Sequence, residues 1–145
     1  LYDRSLFPSS KTPGRHTLPF QAQVCGRTFW EFPATALQVG PFRLPAAGGL
    51  WLRLWPNSVS HMAIRQKVRQ NSSAMVYLHP YDLDPDCPRL PGFGWQFLPF
   101  YFARHHALRT SEAKLNSLLI NFRFTSIQKW LETFTLPSIV QSRPF

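Results

Sequence analysis

Residues 74–80 read Ala-Met-Val-Tyr-Leu-His-Pro, an apolar run that stops at a histidine followed by a proline. An uninterrupted apolar run of this length is typical of a strand that is covered on both faces, as in a parallel sheet. Pro80 has no backbone N–H to donate, so it would end such a strand. The stretch therefore predicts a buried strand over Ala74 to Leu78, with His79 at its carboxyl end.

Towards the amino terminus, turn-forming residues alternate with short aromatic and β-branched runs. Residues 1–20 carry Pro, Ser and Gly around few apolar side chains, which predicts an irregular opening. Residues Thr28 to Phe32 and Ala34 to Val39 predict two short strands, because Pro33 interrupts the run between them. Short elements and prominent loops are expected here.

A helix is expected from Asn57 to Arg69, where Val59, Met62 and Ala63 recur at helical spacing. Asn57 or the serine after it can cap the amino end of this helix. The residues expected to face water are Arg65, Gln66, Lys67 and Arg69. One apolar face would then be left for the core.

The sequence after His79 predicts a loop and then two further helices. Residues Pro80 to Pro99 are rich in Pro and Gly, which indicates a long surface loop. A helix capped by Thr110 or Ser111 follows, and its apolar stripe is Leu115, Leu118, Leu119 and Phe122. Phe122 to Phe124 predicts a strand, and a last helix capped by Thr125 or Ser126 carries Ile127, Trp130 and Leu131. Because strands alternate with helices, the predicted fold class is α/β.

Size and composition favour one compact domain. The chain has 145 residues, of which 44% are hydrophobic and 15% aromatic, enough to form a core. Its net charge of +9 would attract anionic partners, but no module that reads nucleic acid accompanies the charge, so we expect no nucleic-acid partner. Cys25 and Cys87 are expected to be free thiols.

Targeting signals give little information. No apolar stretch has the length of a membrane span, and no signal peptide is visible. The chain opens on Leu1 rather than on Met, and we expect a truncation at the amino terminus. Localisation is left open between the cytoplasm and the cell envelope, and so is the oligomeric state.

His79 is the position that most favours chemistry. A histidine titrates near neutral pH, which suits proton transfer, and the carboxyl end of a parallel strand is where such folds bind their substrates. The alternative is a histidine at a strand end that only bonds a loop carbonyl. Position alone leaves both interpretations open.

Asp82, Asp84 and Asp86 alternate directly after His79. Their spacing resembles the start of a calcium loop, but Cys87 stands where such a loop requires glycine. We interpret them as loop carboxylates that can pair with Arg89.

Four segments also carry a family resemblance. They are Tyr2-Asp3-Arg4-Ser5-Leu6-Phe7-Pro8, Glu31-Phe32-Pro33 with Leu44 to Pro56, Val76 to Pro85, and Leu115 to Ser126. The third is the most specific, since it is similar to a Tyr-Leu-His-Pro-Trp-Glu-Leu-Asp-Pro signature, with Tyr81 for Trp and Asp82 for Glu. Together they resemble bacterial polysaccharide deacetylases of exopolysaccharide gene clusters, with their C-terminal domain of unknown function.

The resemblance implies a fold and an activity. The fold would be the C-terminal part of a distorted (β/α) barrel over residues 1–85 and a family-specific helical extension over residues 86–145, in one compact unit. The activity would be hydrolysis of N-acetyl groups on an amino-sugar polysaccharide by a zinc-bound water. His79 matches the family's late histidine, which protonates the departing amine. Tyr77 and Tyr81 are candidates to bind substrate by stacking on sugar rings, against the alternative that they pack in the core. Asp3 is a candidate to support the substrate site, against the alternative that it caps a turn.

The metal ligands of this family lie in its amino-terminal half. The resemblance therefore implies zinc in the full-length enzyme and none bound by this chain, which we expect to be inactive alone. The alternative is a non-catalytic carbohydrate-binding or assembly module, which the aromatic content suggests. Such a module would bind chitooligosaccharides by itself.

Overall fold

The computed structural model of the chain describes residues 2–3, 18–88, 97–133 and 140–141. In these ranges the strands are β1 Tyr2–Asp3, β2 Phe20–Val24, β3 Arg27–Glu31, β4 Ala36–Val39, β5 Phe42–Pro45 and β6 Val140–Gln141. The helices are α1 Gly49–Leu54, α2 Asn57–Arg69, α3 Leu98–His105, α4 Ser111–Asn121 and α5 Ile127–Thr133. Single 3-10 turns occupy Pro80–Asp82 and Leu108–Thr110. The fold is thus mixed α and β, with small sheets and several helices.

The strands form two small sheets. One has the order β1-β3-β2-β6, in which β2 and β3 are antiparallel while β1 and β6 run parallel to their neighbours. The other is the antiparallel pair β4-β5, in register from Ala36 opposite Pro45 to Val39 opposite Phe42. The described strands do not close into a barrel, and the barrel stays a prediction.

Tight turns explain both hairpins. Cys25 and Gly26 join β2 to β3, and both have positive φ values, 50° and 72°, as a type I′ turn requires. Gly40, with φ 56°, and Pro41 join β4 to β5. A left-handed residue at a two-residue turn matches the twist of the flanking strands, so the local sequence selects these hairpins.

Two apolar clusters hold the helices. Leu37 of β4, Ala46 and Ala63 of α2 form one of them. Leu52, Ile64 and Leu118 form the other and bring α1, α2 and α4 together. Full burial of a leucine side chain contributes about 1.5–3 kcal/mol. This second cluster therefore stabilises the packing of α1 and α2 against α4.

Lys114 of α4 closes the carboxyl end of α1. Its Nζ donates hydrogen bonds to the backbone carbonyls of Leu52, Arg53 and Trp55, at 3.2, 2.8 and 2.9 Å. These are carbonyls that a helix end leaves without intrahelical partners, and a cation also suits the negative end of the helix dipole. Burial lowers the pKa of Lys114. One lysine thus fixes a short helix against a longer one.

An aromatic cluster docks α5 on the sheet. The Trp130 ring packs edge-on against Trp30 and Phe32, with centroid distances of 6.0 and 5.3 Å. Its Nε1 donates a 2.7 Å hydrogen bond to Ser73 Oγ. At the start of this helix, Ser126 Oγ accepts a hydrogen bond from the backbone N–H of Lys129, which confirms the predicted cap.

The predicted strand over Ala74 to Leu78 is wrong. The segment is irregular, and its only strand-like feature is an isolated parallel bridge between Tyr77 and Gly48. Its apolar side chains are half-buried, because Ala74, Val76 and Leu78 pack on the second cluster rather than between two layers. The apolar run therefore lies on helices and pairs with no full strand in the described part of the chain.

Several other elements differ from the expectation. Phe122 to Phe124 is irregular rather than a strand. The sequence interpretation missed β1, β2, β5, β6, α1 and α3, and α3 begins inside the predicted loop. On α4, Leu118 is buried and Leu119 is exposed, so the apolar stripe is narrower than predicted.

The predictions about the two cysteines and about a membrane span can be compared with the described residues. Cys25 is an exposed free thiol and Cys87 a buried one, which confirms the prediction. No described helix is both long and apolar enough to cross a bilayer.

Lys67 contradicts its predicted exposure. It lies on the inner side of α2 and is only 6% exposed. Burial lowers its pKa to about 8, and the nearby positive charge of Arg43 adds to the effect.

The pKa of Lys67 makes folding stability depend on pH. Between pH 8 and its ordinary pKa of 10.5 the unfolded chain holds more protons than the folded one, so stability rises with pH there. Between about pH 7.5 and about pH 9.5, the free energy of unfolding should rise by about 1–2 kcal/mol more than in Lys67→Met. Denaturant unfolding at several pH values measures this, and exposed Lys129→Met should behave like the parent. Parallel curves for the parent and Lys67→Met would contradict the assignment.

Candidate functional site

His79 sits where the irregular segment meets the 3-10 turn Pro80–Asp82. Its backbone is extended, with φ −96° and ψ 154°, a conformation favoured before proline. The N–H of His79 donates to Asp82 Oδ2 at 2.9 Å, and the N–H of Asp82 donates to the His79 carbonyl at 2.9 Å. These reciprocal bonds cap the turn and fix the backbone that carries the imidazole.

Beneath the histidine lies a buried ion pair. Arg53 Nη2 and Asp82 Oδ1 are 2.7 Å apart, and each side chain is 1% exposed. Arg53 also donates through Nη1 to the carbonyls of Arg104 and His106 and through Nη2 to that of Ala103, at 3.0, 2.9 and 3.0 Å. One guanidinium therefore links α1, the 3-10 turn and the carboxyl end of α3.

The imidazole of His79 is held on one side. Its Nδ1 lies 3.3 Å from Asp82 Oδ2 and 3.2 Å from the Tyr81 hydroxyl. The Tyr81 ring stacks on it, with a 4.9 Å centroid distance and a 9° interplanar angle, and Tyr77 approaches edge-on at 6.0 Å. The side chain is 38% exposed, and Nε2 has no hydrogen-bond partner among the described residues. Nδ1 is thus anchored and Nε2 is available.

His79 lines a hollow of about 180 Å³. The residues around it come from α1, from the 77–81 segment and from the end of α3, and they are Gly49, Leu50, Trp51, Arg53, Tyr77, His79, Tyr81, Ala103 and Arg104. Three separate parts of the chain therefore meet at the histidine.

A glycine sets the position of Tyr77 at this hollow. A Cβ on Gly48 would lie 2.5 Å from two atoms of the Tyr77 ring and 2.9 Å from its carbonyl oxygen. The next residue, Gly49, donates its N–H to that carbonyl at 3.0 Å. Only a residue without a side chain allows the two backbones to come this close.

The structure brings together three of the four predicted site residues. Tyr77, His79 and Tyr81 meet at the hollow, whereas the side chain of Asp3 lies outside what the structure describes. The Tyr81 ring contacts His79 and also Arg104, whose guanidinium carbon is 4.5 Å from the ring centroid. Substrate binding by the two tyrosines stays a prediction.

The prediction that the loop carboxylates pair with Arg89 is wrong for Asp82. Asp82 pairs with Arg53, and Arg89 lies outside the described residues. Sequence reasoning missed both Arg53 and Arg104 as site residues. A signal existed for Arg53, because a single charge inside the apolar run Leu50 to Trp55 is typical of a buried pair.

A metal would not fit this site. The part of the chain that is described holds no group of three His, Cys, Asp or Glu side chains that could bind an ion. Among the described residues the carboxylate that contacts His79 is that of Asp82, and Arg53 already binds one of its oxygens. Zinc ligands for the predicted enzyme would have to come from elsewhere.

A second hollow, of about 460 Å³, lies apart from the histidine. Its lining is mostly apolar and includes Phe32, Ile64, Phe122, Phe124 and Trp130. The described residues that line it include no His, Cys, Asp, Glu or Lys.

The fold and the site define a mixed α and β domain in which a buried ion pair holds a histidine at a hollow. Over residues 5–132 the chain matches the family described as Domain of unknown function (DUF3473), and it belongs to that family. Neither the curated proteins nor the solved structures contain a significant match.

The ion pair predicts an asymmetry between neighbouring aspartates. Asp82→Ala leaves Arg53 buried without its counter-charge and should lower the free energy of unfolding by about 3–5 kcal/mol. Asp86→Ala is the matched control, because Asp86 is exposed and its side chain forms no described ion pair, and it should change stability by no more than about 0.5 kcal/mol. Chemical denaturation followed by tryptophan fluorescence measures both. Equal effects would contradict a stabilising role for the pair.

Proposed function

We propose that this chain is the distal part of a metal-dependent polysaccharide deacetylase, a hydrolase of N-acetyl groups on an amino-sugar polymer. In this proposal His79 gives a proton to the amine that leaves. The observation that carries it is the state of the imidazole, with Nδ1 bound by Asp82 and Tyr81 while Nε2 has no partner in the described part of the chain.

An anchored imidazole is suited to this task. A general acid must hold its proton within hydrogen-bond reach of the leaving group, and a bond at Nδ1 keeps the other ring nitrogen pointed in one direction. Asp82 can orient the imidazole only if its own carboxylate is held in place. Arg53 fixes it, because Oδ1 binds the guanidinium and leaves Oδ2 to the histidine.

The residues of this chain would act in a simple order. The hollow receives the acetamido group. A water molecule would add to its carbonyl carbon and give one proton to a base outside this chain, and the proton on Nε2 would pass to the amide nitrogen as the bond from that nitrogen to the carbonyl carbon breaks. The products are a free amine and acetate. Tyr81 would keep the ring plane constant during the transfer, since it both stacks on the imidazole and contacts Nδ1.

Sequence supports the same assignment. His79 lies in the segment Val76 to Pro85, which most closely resembles the deacetylase signature. The proposal includes a (β/α) barrel completed by polypeptide outside this chain, where the zinc ligands would lie. The chain alone is expected to release no acetate.

Replacing the histidine in the full-length protein tests the proposal. His79→Gln removes the proton donor and should lower acetate release from an N-acetylated oligosaccharide by about 100-fold to 10,000-fold. Tyr81→Phe keeps the stacked ring but loses the hydroxyl, so a smaller loss is expected. Enzymatic detection of acetate gives the rates, and elemental analysis should give an unchanged metal content.

The control is His61→Gln, at a half-buried histidine that contacts Ser117 and Phe122. Its turnover should match the parent. Turnover in His79→Gln equal to the parent would remove His79 from the mechanism. Binding of chitooligosaccharides without acetate release by the full-length protein would favour the non-catalytic module instead.

A further inference from the structure

The charges at the small hollow do not balance. Arg53 and Arg104 both line it, and the carboxylate beside them is Asp82. Both oxygens of Asp82 are in use, since Oδ1 binds Arg53 and Oδ2 accepts from the backbone and ring of His79. The carboxylate of Asp82 is therefore bound by Arg53 and His79, and it forms no ion pair with Arg104.

Arg104 is the positively charged side chain at the hollow that has no carboxylate partner among the described residues. Its guanidinium lies over the Tyr81 ring, and its Nε is buried without a hydrogen-bond partner among the described residues. A cation in the last turn of a helix is normally favoured by the free carbonyls there. In α3, however, Arg53 already binds the carbonyls of Ala103, Arg104 and His106.

The rest of the chain offers little to neutralise Arg104. The sequence holds 7 acidic residues against 16 Lys and Arg. The undescribed segments 4–17, 89–96, 134–139 and 142–145 contain no Asp or Glu. No described carboxylate forms an ion pair with Arg104. Asp3 is the acidic residue whose side chain the structure does not describe.

We propose that Arg104 binds a carboxylate of the substrate in this hollow, so that the polymer is an acidic one in which a uronic acid neighbours the N-acetylated sugar. This inference rests on the proposed deacetylase function. A guanidinium and a carboxylate form paired, charge-assisted hydrogen bonds, and a partly enclosed site screens them less than bulk water does. The positive net charge of the chain favours the approach of such a polymer.

Acetate, the product, is also a carboxylate, so the experiment must separate the two sources. The full-length protein is titrated by calorimetry with two oligosaccharides of equal length. One is a neutral chitooligosaccharide, and the other alternates N-acetylglucosamine with glucuronate. Acetate release from each is measured in parallel, with sodium acetate as an added competitor.

The parent should bind the acidic oligosaccharide about tenfold more tightly than the neutral one, the size expected of one charge-assisted contact. Arg104→Gln should abolish that preference, because it should lower the affinity for the acidic oligosaccharide about tenfold more than the affinity for the neutral one. Arg104→Lys keeps the positive charge but loses the planar guanidinium that can form two parallel hydrogen bonds to a carboxylate, so it should retain part of the preference. Arg109→Gln, at an exposed arginine in the 3-10 turn Leu108–Thr110, is the matched control and should retain all of it.

Equal affinity of the parent for both oligosaccharides would overturn the inference, and so would a preference that survives Arg104→Gln. Competition by acetate that needs Arg104, without any preference for the acidic oligosaccharide, would assign the hollow to the product and also overturn it. If neither oligosaccharide loses acetate, the deacetylase proposal fails, while the titration still decides whether Arg104 selects an acidic sugar chain.

Discussion

The Arg53–Asp82 ion pair organises the rest of the molecule. Removing two charges from water costs several kcal/mol per ion, and such a pair is tolerated only when further hydrogen bonds satisfy both groups. Here the guanidinium also binds three carbonyls of α3 and its exit, and the carboxylate also binds the backbone and ring of His79. The same contact therefore joins helix packing to the geometry of the candidate site, and neither can change alone.

Local signals in the sequence predicted local structure well. The strands expected near Thr28 to Phe32 and Ala34 to Val39, the extent of α2 and the Ser126 cap follow from backbone preferences of the residues present, although Met62 of α2 is exposed rather than in the core. The errors arose where distant contacts decide. The run Ala74 to Leu78 has the pattern of a buried strand, but helices rather than strands lie beside it. Lys67 has the pattern of a solvent-facing residue, yet the fold buries it.

In the candidate site, too, residues that are close in sequence were predicted, whereas residues from distant helices were missed. Tyr77, His79 and Tyr81 could be predicted because they stand within one short segment. Arg53 and Arg104 reach the hollow from helices that neither periodicity nor capping rules predicted, so no short-range pattern placed them near the histidine. Residues that determine orientation and charge thus came from the parts of the fold that sequence reasoning missed.

The close contact between Gly48 and Tyr77 limits which positions can be varied to reshape the hollow. Position 48 carries no functional group, yet even a methyl there would displace the tyrosine and the backbone leading to the imidazole. Variation in the shape of the hollow is therefore restricted to its other walls, such as Leu50 and Trp51. A library aimed at a wider or narrower substrate range should randomise those two positions and keep 48 constant.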